Sequence, residues 1–205
     1  MTKLKGLYVI TDGSTGALLL QKVEQALQGG AAIVQYRDKT SDTTRRLQEA
    51  QALHVLCQRY RALLMINDDV ELAKAVQADG VHVGKDDTAF ATARATLGEH
   101  AIIGVSCYNR LELALNAAQQ GASYVAFGSV FPSPTKPDAP RASLELLQTA
   151  RQQLPNTPIC VIGGITLDNG KPLLANGADM LAVITDVFHS TAITARAQAF
   201  HQWFA

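Results

Sequence analysis

The sequence predicts an α/β protein of the (β/α)8 TIM-barrel class, folded as a single domain over residues 1–205. Three observations carry that expectation. Eight short runs rich in β-branched residues recur along the chain, several apolar nearly throughout, as strands buried on both faces of a parallel sheet must be. The stretches between them are rich in Ala, Leu, Gln, Glu and Arg at amphipathic helical spacing. The joint from helix to strand is repeated as well: QGGAAIVQ, QADGVHVG, QQGASYVAFG and ANGADMLAV each place a Gly or Asp-Gly turn ahead of a strand. Eight strands in 205 residues leave about 26 residues per unit, short but enough for a strand and its helix. Right-handed βα repeats of that number close most naturally into a barrel, with a doubly wound open sheet as the alternative.

In chain order, the first strand is expected at Leu7–Thr11 (LYVIT), followed by a helix over LLLQKVEQAL. The second, Ile33–Asp38 (IVQYRD), leads into the long amphipathic stretch TTRRLQEAQALHVLCQRY. Leu63–Asn67 (LLMIN), Gly80–Gly84 (GVHVG) and Ile102–Ser106 (IIGVS) supply the third, fourth and fifth strands, the last preceding the helical ELALNAAQQ. Tyr124–Ser129 (YVAFGS) is the sixth, and a loop containing Pro132, Pro134, Pro137 and Pro140 separates it from the helix LELLQTARQQL. Ile159–Gly164 (ICVIGG) and Met180–Thr185 (MLAVIT) complete the set.

Composition narrows the function. With 47% hydrophobic residues and 18 Lys and Arg against 18 Asp and Glu, the net charge is zero. Disorder is excluded, and so is a whole-protein field able to hold nucleic acid, which needs clustered positive charge. Cys57, Cys107 and Cys160 are far apart and show neither C-x-x-C nor zinc spacing, which reads as reduced thiols in a cytoplasmic chain. The opening MTKLKGLYVITDGS reaches Asp12 after an apolar run too short for a signal peptide or membrane span. Outer helices carry apolar residues that a second copy could cover, so a homo-oligomer is compatible with the sequence.

In a TIM barrel, functional groups belong at the C-terminal ends of the strands. The polar residues fall there: Gln35, Arg37, Asp38 and Lys39 after the second strand; Asn67, Asp68 and Asp69 after the third; Gly84, Lys85, Asp86 and Asp87 after the fourth; Ser106 on the fifth. The sixth runs into Ser133, Pro134, Thr135 and Lys136, the seventh into Gly163–Gly164, and the eighth into Ile184–Thr185. The opposite ends carry almost only apolar or turn residues. One carboxylate from each pair, Asp68/Asp69 and Asp86/Asp87, can share a hard cation, and magnesium suits one or two carboxylates completed by water and phosphate. The same acids could instead cap the following helices, a role that suits Asp69 and Asp86. Arg37, Lys39 and Lys136 on the same face supply cations for phosphate oxygens, so the expected ligand is a magnesium diphosphate. Gly163–Gly164 lets backbone approach a ligand closely, and with Ile184–Thr185 it forms the usual monophosphate cradle of barrels.

Other groups are expected to do less. His82 lies inside a strand, where a histidine is more often a satisfied core residue than a ligand. His54, His100, His189 and His201 read as surface. Cys107 and Ser106 have no histidine placed to activate them, so a hydrogen-bonding role fits Ser106 better than nucleophilic attack. The proline-punctuated segment 131–140 is long for a βα connection and reads as a stiff lid carrying Lys136.

The strings LYVITD, QYRDK, INDDV, DGVHVG-KDD, IGVS, YVAFGSVFPSPTK, VIGGI and GADMLAVIT, in this order from Leu7 to Thr185, resemble the motif set of the thiamine-phosphate synthase family. The resemblance implies an enzyme joining hydroxymethylpyrimidine diphosphate to thiazole phosphate with release of pyrophosphate. It implies that Gln35, Tyr36, Arg37, Asp38, Lys39 and Asn67 bind the pyrimidine diphosphate and that Asp68 and Asp87 hold magnesium. It further implies that Ser106 and Lys136 contact the pyrimidine substrate or its pyrophosphate, and that Ser133, Pro134, Thr135, Gly164, Ile184 and Thr185 meet the thiazole phosphate. Lys136, Ser106 and Arg37 would then carry catalysis, with pyrophosphate leaving first to give a pyrimidine methyl cation. Departures are small: Ser133 stands where Thr is frequent, Thr185 where Ser is frequent, and Lys85 where Gln is usual.

Three rivals share parts of this pattern. A thiazole tautomerase would need only the phosphate cradle, and retention of Asp68, Asp87, Arg37 and Lys136 argues against it. A Schiff-base aldolase needs a lysine inside a strand, which YVAFGS lacks. A non-catalytic phosphate-ligand barrel is opposed only by the lack of an effector domain.

Overall fold

The alternation of side chains across eight parallel strands settles the architecture. In the computed structural model, which describes residues 4–84, 87–132 and 141–204 and not the side chains of Asp87 and Thr88, the strands close into one barrel in sequence order. They are β1 (Gly6–Ile10), β2 (Ile33–Tyr36), β3 (Leu63–Asn67), β4 (Gly80–Val83), β5 (Ile102–Tyr108), β6 (Tyr124–Gly128), β7 (Ile159–Ile162) and β8 (Met180–Val183). Closure is made by β1 pairing in parallel with β8, from Gly6 against Met180 to Val9 against Val183. The open-sheet alternative is thereby overturned.

Because neighbouring residues of a strand point to opposite sides, the barrel has two cores. Tyr8, Ile33, Met65, Tyr124, Cys160 and Met180 fill the interior. Leu7, Val9, Val34, Leu64, Val81, Val125, Val161 and Leu181 face outward into the larger core against the helices. Those helices are α1 (Gly16–Gln28), α2 (Thr43–Tyr60), α3 (Val70–Ala75), α4 (Asp87–Leu97), α5 (Leu111–Gln119), α6 (Leu144–Gln153), α7 (Lys171–Ala175), α8 (Thr185–Phe188) and α9 (Ile193–His201). The expected α2 matches to the residue, while α8 and α9 lie beyond the helices read from the sequence.

Five of these helices hand over to the next strand through one repeated turn. The amides of Ala31, Ala62, Ala78, Ala122 and Ala178 donate to the carbonyls of Ala26, Cys57, Ala73, Ala117 and Leu173 at 2.9–3.1 Å. Each turn places the preceding residue in the left-handed region, Gly30, Arg61, Gln77, Gly121 and Gly177. In QADGVHVG the turn residue is therefore Gln77, not the Asp-Gly pair. Gly80 serves a different purpose, since a Cβ there would collide with the backbone of Ile102 on β5.

The N-terminal face is also more polar in function than the sequence suggests. Asp79 Oδ2 accepts from Leu64 N at 2.8 Å, Ser123 Oγ from Ile103 N at 3.0 Å, and Asp179 Oδ2 from Ile159 N at 2.9 Å. Each residue directly follows one of the repeated turns and pins the start of the preceding strand. Arg151 pairs with Asp179 and gathers the carbonyls of Leu154, Thr157 and Gly177 beside it.

Candidate active site

A cleft of about 870 Å³ opens over the C-terminal ends of the strands. One side is built from Gln35 and Arg37 on and after β2, Asn67 on β3, His82 on β4, and Ser106 and Tyr108 on β5. The other is built from Gly163, Gly164 and Thr166 after β7 and from Ile184 and Thr185 after β8. Of the residues read from the sequence, Gln35, Arg37, Asn67, Ser106, Gly164, Ile184 and Thr185 are thus brought to one cavity.

Strand alternation splits the run at 35–39. Gln35 points into the barrel and is almost fully buried, at 3% exposure. Tyr36 points the other way, into the outer core, where its hydroxyl donates to Glu49 Oε2 at 2.6 Å. Its side chain therefore faces away from the cleft. Asp38 is likewise engaged outside the cleft, accepting from Thr40 N at 2.7 Å and pairing with Arg45 at 2.7 Å. Burial alone would raise its carboxyl, but Thr40 and Arg45 outweigh burial and hold it below the usual range. Lys39 is exposed and does not line the cleft. Arg37 is set by a strap between the first two strand ends: its amide donates to Thr11 Oγ1 at 2.9 Å, and Thr11 Oγ1 donates back to its carbonyl at 3.3 Å.

The two aspartates expected to hold a metal follow the ends of β3 and β4. Asp68 N donates to His82 O at 2.9 Å, and α4 begins at Asp87, after β4 ends at Val83. Asp68 is exposed, left-handed at φ 59°, and its Oδ2 accepts from Asn67 Nδ2 at 2.7 Å. An exposed carboxylate at this rim is the oxygen donor that magnesium takes, and it leaves most of the coordination shell to phosphate and water. Among the described residues no three His, Cys, Asp or Glu side chains gather into a metal-binding cluster. Asp69 takes the alternative role, capping α3 by accepting from Leu72 N at 2.9 Å while pairing with Arg46 at 2.6 Å. Ser133, Pro134, Thr135, Lys136 and the lid they belong to, together with Lys85, Asp86 and the side chain of Asp87, fall outside the described residues.

Sequence reasoning missed several cleft groups. Tyr8 and His82 line its floor, and Tyr124 lies fully buried among the interior side chains. Burial pushes the His82 imidazole down to about 4 against a smaller opposing effect of Asp68, so the ring is neutral near pH 7. Burial likewise raises the phenols of Tyr8 and Tyr124. His189 is exposed, as expected, and it also borders the rim, 3.7 Å from Asp12. Burial would raise Asp12, yet hydrogen bonds from Lys22 and Ser14 prevail and keep it low. Arg196 on α9 adds a second arginine to the lining besides Arg37. A helix following the eighth unit left no periodic signal ahead of the fold itself.

Comparison with known proteins decides the family. The family profile described as thiamine monophosphate synthase matches residues 7–187. The chain belongs to the thiamine monophosphate synthase family. It is 52% identical over 204 residues to a protein named thiamine-phosphate synthase from an Azoarcus species, covering 99% of this chain and 98% of that one. A second protein of that name, from Thioalkalivibrio sulfidiphilus, is 52% identical over 188 residues, covering 91% and 89%. Among solved structures, a thiamine phosphate pyrophosphorylase from Pyrococcus furiosus superposes with a TM-score of 0.88 at 36% identity, covering 98% of this chain and 96% of its own.

Proposed function

We propose that this chain is a cytoplasmic, single-domain transferase that joins hydroxymethylpyrimidine diphosphate to thiazole phosphate, giving thiamine phosphate and pyrophosphate. The observation that carries the reading is the division of one cleft into two sides, a polar one over β2 to β5 and a glycine-rich one over β7 and β8, each of a chemistry that suits an anion. Full-length identity to proteins named for this activity supports it. Absence of any helix long and apolar enough to cross a membrane, among the described residues, and three buried free cysteines suit the proposed compartment.

In this reading Gln35, Arg37 and Asn67 hold the pyrimidine diphosphate from the cleft wall, Lys39 reaches it from outside the lining, and Lys136 and Ser106 also contact it. Asp68 and Asp87 would hold magnesium, which neutralises charge on the diphosphate. The bond between the pyrimidine methylene and the diphosphate oxygen breaks with its electron pair going to oxygen. The thiazole nitrogen then gives its lone pair to the methylene carbon, forming the new carbon–nitrogen bond. Arg37, Lys136 and Ser106 stabilise the departing charge, and no covalent bond to the protein is needed. Gly164, Ile184 and Thr185, with Ser133, Pro134 and Thr135, hold the thiazole phosphate. The test is pyrophosphate release from the two substrates together. We expect release only when both substrates and magnesium are present; turnover undiminished by a chelator would overturn the metal role, and absence of turnover the synthase reading.

A further inference from the structure

We infer that a buried hydrogen-bond chain, Gln35–Tyr8–Tyr124–His82, fixes Ser106 as a hydrogen-bond donor into the cleft, which makes His82, Tyr124 and Tyr8 positioning residues for departure of the diphosphate. The link to that departure rests on the synthase reading, whereas the chain itself is a matter of geometry. Gln35 Nε2 donates to Tyr8 Oη at 2.7 Å. Tyr8 Oη and Tyr124 Oη are 2.9 Å apart, Tyr124 Oη and His82 Nδ1 2.9 Å, and His82 Nε2 and Ser106 Oγ 2.9 Å. Both ends line the cleft, on β2 and β5, and the middle crosses the barrel interior.

Register explains how β6 reaches β4 across β5. His82 is paired with Gly104, and Gly104 with Tyr124, in one row of the sheet. A side chain at Gly104 would collide with the Tyr124 ring. With glycine there, the ring leans over β5 and stacks on His82, with centroids 5.7 Å apart at 24°.

Proton counting gives the chain its direction. An amide nitrogen only donates, so Tyr8 Oη accepts from Gln35 and has one proton of its own to place. Tyr124 Oη is the acceptor within reach, its own proton then goes to His82 Nδ1, and a ring that accepts at Nδ1 has its proton on Nε2 and donates it to Ser106 Oγ. The reverse order would leave the Tyr8 proton buried without an acceptor, a cost that native interiors avoid. Ser106, already accepting from His82, presents its hydroxyl proton to the cleft. An oxygen of the leaving diphosphate is the acceptor it suits. As the carbon–oxygen bond breaks, no proton moves, and the donor already in place needs no reorganisation while negative charge grows on that oxygen.

NMR of protein labelled at the histidine ring nitrogens reads the direction without any substrate. We expect His82 protonated at Nε2 and bare at Nδ1; the opposite tautomer overturns the inference. Kinetics read the consequence. Tyr124→Phe, which keeps the ring and its packing, is expected to lower kcat roughly 10- to 100-fold with little change in the KM for thiazole phosphate. His82→Leu should lose at least as much, and His82→Gln, whose amide can donate to Ser106, should recover part of it. Undiminished kcat in Tyr124→Phe also overturns the inference, with a thermal melt confirming that the variant is folded. Lack of turnover in the parent enzyme would instead overturn the synthase reading and leave the tautomer result standing.

Discussion

Neighbouring residues in this chain carry opposite fates, and a single position decides between them. Gln35 enters the cleft floor while Tyr36 anchors the outer core on Glu49, although QYRDK reads as one polar strip. Strand periodicity could have separated them, because alternate residues of a strand cannot share a face. The three cysteines show the same contrast between chemical type and placement. All are free and buried, and burial pushes the thiols of Cys57 and Cys107 up to about 12 and raises Cys160 as well. Thiolate is the reactive form, so none should be alkylated at neutral pH in the folded protein. Mass spectrometry after iodoacetamide treatment checks this: no adducts in native protein and all three after guanidinium unfolding. Labelling of Cys160, which borders the cleft, in native protein would mean that the interior opens to solvent.

The repeated turn is the element whose chemistry the sequence displayed best and concealed twice. Three of the five helix ends, those before β2, β6 and β8, use glycine at the left-handed position, but Arg61 occupies it before β3 and Gln77 before β4 at φ 54°. The nearby Asp-Gly drew attention away because composition marks a turn without fixing its register. Gln77 is exposed, and its amide and carbonyl roles do not depend on its side chain. Gln77→Gly therefore should stabilise the protein by about 1 kcal/mol, the usual cost of a side chain in the left-handed region. For a chain of this size that corresponds to a Tm rise of roughly 2–4 °C. Arg61, exposed at φ 56° after α2, predicts the same for Arg61→Gly. A fall in Tm for both would show that these turns gain more from their side chains than they lose in backbone strain. The short α3, α7 and α8 were less legible, since four to six residues give too little apolar periodicity to register. Gly29 beside Gly30 also had an unseen partner: a Cβ there would collide with Thr194 and Ala197 of α9, so the pair serves both the turn and the packing of α9 on α1.

At the scale of the whole molecule, closure turns scattered strand ends into a site. The face was legible because polar residues accumulate at one end of the strands, yet the interior chain through Tyr8, Tyr124 and His82 was not. A buried tyrosine reads as core until the β1–β8 pairing and the β4–β5–β6 register bring its hydroxyl to a partner. Closure also makes the cleft rim a single ligand-dependent unit, because its walls come from β1 to β8 and from α9. A ligand that bridges several strand ends binds the folded barrel and not the unfolded chain, so it must raise stability by mass action. Inorganic pyrophosphate with magnesium is the simplest such ligand for the polar side of the cleft. At a hundredfold excess over its Kd it should add about 2.7 kcal/mol, which is a Tm rise of roughly 5–10 °C for a domain of this size. The Asp68 carboxylate is exposed, on a left-handed residue, and among the described residues it accepts from Asn67, so Asp68→Asn should change the ligand-free Tm little. It should remove most of the rise, as should a chelator acting on the parent protein. A rise of equal size in Asp68→Asn would move the metal away from the end of β3, and a rise insensitive to chelation would show that Arg37 and its neighbouring cations hold pyrophosphate without it.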